Sequence, residues 1–194
     1  MRKIVFDIET ANVLPSMSRQ DIEKLDIAIV CVHDSLTDTY SSYTVAELPK
    51  LWPIMERADM LIGFNSNSFD IPLLNKYYPG DLTRIRSLDL LSEVHEALGR
   101  RIRLNTLAEA TLGRGKSGHG LEAVEWWQKG EVEKVRAYCE DDVRITKELY
   151  DYAREHGHVK YKDLNQIKDI KLNTKKWEKM PEDTSGGMTF TLPL

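Results

Sequence analysis

The sequence predicts an α/β fold: a mixed sheet of three antiparallel strands followed by parallel strands, flanked by helices. Three short segments rich in β-branched and aromatic residues open the chain, at residues 3–10, 27–33 and 39–44. The turn-like sequence DSLTD separates the last two, which indicates a hairpin. Strands and amphipathic helices then alternate, and the chain continues into helices. This order of elements is typical of a mixed sheet covered by helices.

Two periodicities define the remaining elements. Helices are predicted where apolar residues recur every three or four positions, and strands where a short apolar run lies between turn signals. Pro79-Gly80 ends the second predicted helix and Gly99 ends the third. After the first three strands, the predicted elements are a helix over 45–58, a strand over 60–64, a helix over 69–78, a strand over 85–88 and helices over 89–98, 104–113, 121–129 and 131–155.

One domain over residues 1–156 is predicted, followed by a C-terminal extension and flexible tail over 157–194. A chain of 194 residues is long enough to bury one sizeable core. Beyond the boundary the helical pattern ends: VKYKDL at 159–164 could form a strand, and residues 169–179 are highly charged. A Ser-Gly-Gly run follows, which is typical of a flexible segment.

Composition argues against a secreted or membrane protein. The hydrophobic fraction is 41% and the charged fraction 30%, and no apolar run is long enough to cross a bilayer. The N-terminal MRKIVFDIET has no apolar signal segment, and Cys31 and Cys139 lack a CxxC spacing, which favours buried free thiols in a reducing compartment. We therefore expect a cytoplasmic protein that binds no membrane. The net charge of −4 still allows local basic clusters to bind a polyanion.

Two carboxylates end the first predicted strand. Side chains alternate between the faces of a strand, so Asp7 and Glu9 project together while Ile8 projects to the opposite face. Two like charges this close repel each other unless a proton or a cation lies between them. Mg²⁺ or Mn²⁺, which prefer oxygen ligands, would suit this position. The alternative is a pair of solvated acids at a strand end, and this stretch alone does not decide between the two.

Two further acids stand where such a cation site would need them. Asp70 follows the strand at 60–64, within GFNSNSFDIPLL, where it could bind a cation or simply serve a helix N-terminus. On the last helix, Tyr138 and Asp142 are four residues apart and share one face beside an apolar stripe. A carboxylate beside a buried stripe costs free energy, and pairing with a cation would offset that cost.

The segments FDIET, NSNSFD and YCEDD resemble, in this order, the three exonuclease motifs of the DEDD superfamily of 3′–5′ exonucleases, which has a ribonuclease-H-like fold. The four acids of that superfamily correspond to Asp7, Glu9, Asp70 and Asp142. Tyr138 lies four positions before the last Asp, as in the tyrosine (DEDDy) branch, and Ala137 stands where the other branch has His. The wording of the motifs is similar to the proofreading domains of B-family DNA polymerases and to stand-alone bacterial exonuclease domains.

The resemblance implies a reaction and a role for each residue. Members hydrolyse phosphodiester bonds at single-stranded 3′ ends with two divalent cations, Mg²⁺ or Mn²⁺, about 3.5–4 Å apart, and release nucleoside monophosphates. By the resemblance, Asp7 would bridge both ions, Glu9 and Asp142 would complete one, and Asp70 would hold the other largely through water. Tyr138 would orient the attacking water, since a phenol with a pKa of about 10 is a poor base at neutral pH.

Several residues are candidate substrate contacts. Thr10 follows Glu9 in the first motif and Asn65 begins the second, and both could contact the terminal nucleotide or support the framework of the site. Basic residues in predicted loops could meet the phosphate backbone or form an ordinary solvated surface; these are Arg100, Arg101, Arg103, Arg114 and Lys116. His119 is more typical of a structural or exposed residue, and Trp126 with Trp127 could stack on bases or pack in the core.

Other functions stay open at the level of sequence. The chain could be a nucleic-acid-binding module without turnover, or a proofreading subunit of a replication complex. TFTLPL at 189–194 resembles the end of a sliding-clamp-binding peptide, although the usual leading Gln is absent, so a clamp or polymerase is a candidate partner. A phosphatase of the haloacid dehalogenase kind fits less well, because that class needs Asp at the position of Glu9. DNA is slightly favoured over RNA, but the motifs do not encode contacts to a 2′-hydroxyl.

Overall fold

A five-stranded mixed sheet forms the centre of the protein, in a computed structural model that describes residues 1–14, 19–115 and 120–179. Its strands are β1 (Lys3–Thr10), β2 (Ile27–Asp34), β3 (Thr39–Tyr43), β4 (Met60–Gly63) and β5 (Ser87–Asp89). They lie in the order β3-β2-β1-β4-β5. The first three strands run antiparallel, and β4 and β5 run parallel to β1. The predicted mixed sheet is confirmed.

Six α-helices of the described residues cover the sheet, close to the predicted positions. They are α1 (Leu48–Glu56), α2 (Asp70–Asn75), α3 (Leu90–Leu98), α4 (Leu104–Leu112), α5 (Gly120–Gln128) and α6 (Val132–His156). Three predicted boundaries were wrong. Residues 45–47 form a 3₁₀ helix before α1, and Ile85 closes a 3₁₀ turn, so β5 starts later. The second helix ends at Asn75 because the next amides donate to carbonyls three positions back.

The alternation of side chains along β1 separates two cores. The even-numbered apolar residues of β1 belong to the core beneath α1 and α2: Ile4, Phe6 and Ile8. Val5 points to the opposite face and belongs to the core beneath α6. Asp7 and Glu9 lie on the same face as Val5, because a strand repeats every two residues. The fold therefore directs both carboxylates of β1 toward α6.

α6 is the longest helix of the described residues, and none of their helices is long and apolar enough to cross a membrane. Its inner face packs on the sheet through Val135, Cys139, Val143 and Leu149, all fully buried. Gly157 ends the helix with φ of +75°, a left-handed conformation that glycine adopts without steric cost.

A hairpin follows α6 and packs against the same core. Its antiparallel strands are β6 (His158–Asp163) and β7 (Gln166–Lys171), and Val159, Tyr161 and Ile170 are buried. The sequence predicted a strand near β6 but missed β7, since only Ile170 among its six side chains is buried and no apolar alternation is visible. The domain boundary at residue 156 stays a prediction, and the tail over 180–194 lies outside the described residues.

Trp177 and Glu178 fasten the end of the described chain to the fold. The Trp177 ring stacks on Tyr150 of α6 at 5.6 Å, and its indole N–H donates to Glu93 at 2.8 Å. The Glu178 carboxylate accepts hydrogen bonds from the Lys3 ammonium at 3.0 Å and the Tyr150 hydroxyl at 2.6 Å. It also pairs with Arg154. Partial burial would raise the pKa of Glu178, but these donors outweigh it and lower the pKa to about 2.

Glu178→Gln is expected to make stability less dependent on pH. Because the folded pKa lies below the ordinary value of 4.5, the charge of Glu178 stabilises the fold above pH ~5, and this is lost as pH falls through ~2. After allowance for solvent screening, we expect the variant to be about 1–2 kcal/mol less stable at pH 7. Urea denaturation at pH 7, 4 and 2.5 measures the difference.

The exposed Glu155 on α6 supplies the control, since Glu155→Gln removes a charge next to Arg154 without removing an ion pair of Glu178. If the difference in unfolding free energy between the wild-type protein and Glu178→Gln stays constant from pH 7 to pH 2.5, the assigned ion pairs are contradicted.

Candidate active site

Asp7 and Glu9 lie on the part of β1 that β4 leaves uncovered. β4 pairs with β1 over Lys3–Val5, whereas the pairing with β2 continues along the strand to Thr10. The register with β2 shifts between Glu9 and Thr10, an irregularity of the kind that often borders active sites. One edge of β1 is therefore open to other elements beside its two carboxylates.

α6 brings a third carboxylate to this pair. A carboxylate oxygen from each of Asp7, Glu9 and Asp142 lies within 4.8 Å of the other two. Glu9 and Asp142 are buried, and Asp7 is half-buried. The structure thus brings together three acids that the sequence singled out, from two elements more than 130 positions apart. We call these three residues the acidic cluster.

Asp70 borders the acidic cluster without belonging to that 4.8 Å group. It is the first residue of α2 and is 4% exposed. Burial raises the pKa of Asp70 to about 7, with the charges of Asp89 and Asp142 adding to the rise. Hydrogen bonds from its own backbone N–H and from that of Ile8, between the two acids of β1, oppose it. Asp70 therefore lies close enough to β1 and α6 to sense the cluster.

Tyr138 lies one turn before Asp142 on α6 and is buried. Trp126 of α5 packs edge-on against its ring, with centroids 6.0 Å apart. Trp126 and Trp127 are both half-buried and pack against the core under α6. For Trp126, packing against the candidate catalytic tyrosine is thus the observed contact.

Two thiols lie behind Asp7. Cys139 of α6 donates from its Sγ to the Asp7 carbonyl at 3.4 Å, and Cys31 is paired with Asp7 across β1 and β2. Both cysteines are free and buried, as predicted. Burial, followed by the neighbouring Cys31, raises the pKa of Cys139 well above its usual value, so the thiol stays protonated at neutral pH. Cys139 is therefore a neutral neighbour of Asp7 and not a thiolate ligand.

The acidic cluster has the composition of a site for a hard divalent cation. Buried carboxylates held this close are strongly destabilised unless protons or a cation lie between them. All the converging ligand atoms are carboxylate oxygens, the ligand type that Mg²⁺ and Mn²⁺ prefer, whereas softer ions favour nitrogen and sulfur. The residues present thus fit a divalent cation.

The sequence matches a family model over most of its length. A model of the RNase_H superfamily (RNase_H_2) covers residues 4–154, which contain the acidic cluster, Asp70 and Tyr138. The chain belongs to the RNase H superfamily. Nucleases of this superfamily use divalent metals, and a cluster of buried acids is present here.

The RNase H superfamily fold is also found in a solved structure. The family B DNA polymerase from the hyperthermophilic archaeon Pyrobaculum calidifontis matches with a TM-score of 0.62 and 19% sequence identity, over 78% of this chain and 24% of that chain. At this identity the likeness shows the fold alone, and the chain spans about a quarter of the polymerase's length. No curated protein matches this sequence significantly.

The loop that leads into Asp70 in this RNase H superfamily protein is held by Asp89. The Asp89 carboxylate, 3% exposed, accepts from the backbone N–H groups of Asn65 at 2.7 Å and Asn67 at 3.1 Å. It also caps α3 through the Leu91 amide at 3.0 Å. The sequence analysis placed position 89 at the start of the predicted helix over 89–98 and gave Asp89 no other role. The position of an acid directly between a strand and a helix could have suggested a capping carboxylate that accepts hydrogen bonds from backbone amides.

Gly63 and Asn65 let this loop turn sharply at the end of β4. A Cβ on Gly63 would lie 2.5 Å from the Cβ of Ser66, so a larger residue would displace the loop. Asn65 has φ of +69°, a conformation that Asn tolerates better than most residues. Asp89 satisfies the amide of this strained residue, which fixes the approach of the chain to α2.

The predicted substrate contacts occupy different settings. Thr10 ends β1 beside Glu9 and is half-buried. Arg101 donates to the Asn65 side chain at 2.5 Å, so its guanidinium lies on the loop before Asp70. Arg103 is exposed at the N-terminus of α4. Their contacts with substrate stay predictions.

Arg114 faces the outer side of α6. Its guanidinium pairs with Asp141 at 3.2 Å and with Glu148 at 2.8 Å. This charge is thus engaged within the protein, which sequence spacing alone did not indicate. Lys116 and His119 lie outside the described residues, and the role of Arg114 in binding substrate stays a prediction.

Asp89→Asn is expected to loosen the loop before Asp70. The substitution keeps the size of the side chain but replaces one acceptor oxygen by an NH₂ group that faces amide donors. An unsatisfied buried amide costs about 1–3 kcal/mol. We expect a loss of that order in urea denaturation, with faster hydrogen exchange at the amides of Asn65 and Asn67.

Asp81→Asn provides a matched control, because Asp81 caps an exposed 3₁₀ helix and accepts from the Thr83 amide at 2.9 Å. Equal stability losses in the two variants, with unchanged exchange at the loop amides, would argue against the assigned role of Asp89.

Proposed function

We propose that this protein is a metal-dependent 3′–5′ exonuclease of the DEDDy branch. It would hydrolyse phosphodiester bonds at the 3′ ends of single-stranded nucleic acid, DNA slightly before RNA, and release nucleoside monophosphates. The convergence of the acidic cluster carries the proposal: Asp7, Glu9 and Asp142 meet within 4.8 Å in a chain of the RNase H superfamily. The three ordered motifs that resemble the DEDD exonucleases support the finer assignment.

Two divalent cations, Mg²⁺ or Mn²⁺, would activate a water molecule as the nucleophile and stabilise charge on the phosphate and the leaving oxygen. By the resemblance to the DEDD exonucleases, Asp7 would help to hold both ions, Glu9 and Asp142 would hold one, and Asp70 would hold the other through water. The position of Asp70 supports this division, because it lies outside the 4.8 Å group yet close enough to sense the charge of Asp142.

Tyr138 is proposed to orient the attacking water by hydrogen bonding. Its burial one turn from Asp142 and its packing against Trp126 restrict the ring to a narrow range of positions. A neutral phenol can both donate and accept a hydrogen bond, whereas its pKa of about 10 makes it a weak general base. The contribution of Tyr138 is therefore orientation of a water rather than removal of its proton.

The substrate side of the site is proposed to include Thr10, Asn65, Arg101 and Arg103. Arg101 supports this role best, because it is bound to the Asn65 loop and can place positive charge beside the acids. Phosphate contacts of this type bind without regard to base sequence. The chain could act alone or as a proofreading subunit, and a reducing compartment such as the cytosol suits its two free thiols.

A 3′-shortening ladder is the expected product. We predict that the protein degrades a 5′-labelled single-stranded oligonucleotide from its 3′ end with Mg²⁺ or Mn²⁺, and that a chelator stops the reaction. Asp7→Ala should lower the rate at least about 10³-fold, because the variant loses a ligand of both cations. Gel electrophoresis of DNA and RNA substrates with the same label measures the ladder.

Two further variants, Tyr138→Phe and Asp141→Asn, test the role of Tyr138 and provide a control in the same assay. The tyrosine variant should reduce turnover about 10- to 100-fold while metal binding stays intact. Asp141 is next to Asp142 but pairs with Arg114, so its substitution should leave the rate within about threefold. If the labelled oligonucleotide stays full-length under every metal condition, the exonuclease proposal is contradicted and a binding module without turnover is favoured.

A further inference from the structure

The turn of the β6–β7 hairpin exposes an apolar residue in a strained conformation. Leu164 and Asn165 form a two-residue turn between Asp163 and Gln166, which are paired. Leu164 has φ of +55°, a region that disfavours side chains with a Cβ. Its side chain is 90% exposed. Glycine or asparagine normally occupies such a position in a hairpin turn, so this leucine adds both strain and exposed apolar surface.

Within the part of the chain that the structure describes, the packing of the hairpin does not require a leucine at this position. The hairpin is held from its other side by Val159, Tyr161 and Ile170, which are buried in the core. A second apolar side chain, Ile167, is 65% exposed on the neighbouring strand. A residue in a strained backbone conformation that contributes nothing to packing is a candidate for a functional role.

Two adjacent arginines link the hairpin turn to the loop that leads into Asp70. Arg100 lies 3.8 Å from Asp163 and stacks over the Tyr161 ring at 5.3 Å. The next residue, Arg101, donates to Asn65 on the loop that leads to Asp70. These contacts place the hairpin turn and the loop before Asp70 on either side of the same pair of arginines.

The outer face of the hairpin carries positive charge. By the cross-strand register, the residues that share this face are His158, Lys160, Lys162, Ile167, Asp169 and Lys171. Among the described residues, no carboxylate lies within ion-pair distance of Lys162, which is exposed directly opposite Ile167. A lysine can contact a phosphate of a single strand, and a neighbouring exposed aliphatic side chain can bury the apolar face of an unstacked base.

We infer that the hairpin turn binds the substrate strand on the 5′ side of the nucleotide being removed, with Leu164 packed against a base and Lys162 against a phosphate. This inference rests on the proposed function and extends it, because it gives the protein a second contact along the same strand. The partner is a single strand long enough to reach from the acidic cluster to the hairpin turn. Shorter oligonucleotides occupy the cluster alone.

Fluorescence anisotropy tests the inference without cleavage. A 5′-fluorescein 12-nucleotide oligothymidylate, its oligouridylate counterpart and a trinucleotide are titrated with the full chain in chelator. Leu164→Gly is expected to weaken binding of both 12-mers about fivefold and that of the trinucleotide less than twofold. Lys162→Gln should lower the slope of log affinity against log salt by about 0.7.

Stability separates a binding role from a structural one. Leu164→Gly removes the strain at a positive φ, so its unfolding midpoint is expected to be unchanged or higher by about 1–3 °C. Weaker binding by a fold that is no less stable supports the inference. A lower midpoint with unchanged binding of the 12-mers overturns it, because leucine would then be structural.

Leu36→Gly is the matched control. Leu36 is 71% exposed in the β2–β3 turn, at the opposite end of β1 from Asp7 and Glu9. The Leu36→Gly variant should bind both 12-mers as tightly as the wild-type protein does. If Leu36→Gly and Leu164→Gly weaken binding equally, the inference is overturned. If Leu164→Gly weakens binding but no metal supports cleavage, the inference stands and the proposed exonuclease function fails. If the wild-type chain binds no oligonucleotide, the inference fails.

Discussion

Repulsion among three carboxylates is the constraint on which the rest of the structure depends. β1 fixes Asp7 and Glu9 two residues apart on one face, and α6 adds Asp142 within 4.8 Å. At an effective dielectric constant of about 20, each pair of charges at this separation repels by about 3–4 kcal/mol. The acids cannot separate, because the apolar face of α6 is packed on the sheet. The packing of apolar side chains therefore holds the three acids where a proton or a cation must offset their repulsion.

The residues around the acidic cluster determine which charges and which ligand types lie next to it. The neighbouring thiol of Cys139 stays protonated because burial raises its pKa, so it adds no charge and no soft ligand. Asp70 is held nearby through the Ile8 amide, on the edge of β1 that β4 leaves uncovered. Asp89 then orders the loop before Asp70, and Arg101 places a positive charge on that loop. Negative charge at the centre and positive charge at the rim suit a phosphodiester bound to cations.

The sequence could predict the parts of the fold that depend on local periodicity. The period of two along β1 placed Asp7 and Glu9 on one face, and the period near 3.6 placed Tyr138 beside Asp142 on α6. The mixed sheet followed from the order of strands and helices. The resemblance of the three motifs pointed to a ribonuclease-H-like fold, and the family model confirms the RNase H superfamily.

What the sequence could not predict depends on contacts between distant segments. The hold of Asp89 on the Asn65 loop joins residues 24 positions apart, and no local pattern reports it. The sequence predicts Arg114 to be a free cation in a loop, because it does not reveal that the fold places Asp141 of α6 beside it. β7 escaped prediction because a strand packed through Ile170 alone has no apolar alternation to detect.

Binding of Mn²⁺ to the chain, measured by the loss of the free-ion signal in electron paramagnetic resonance, tests the central claim most directly. The wild-type protein should bind Mn²⁺, and Asp142→Asn should weaken the affinity at least about tenfold by removing one carboxylate of the acidic cluster. Asp141→Asn, one residue away and paired with Arg114, should leave it unchanged. Equal Mn²⁺ affinity in the wild-type protein and in Asp142→Asn would contradict the assignment of the cluster as a cation site.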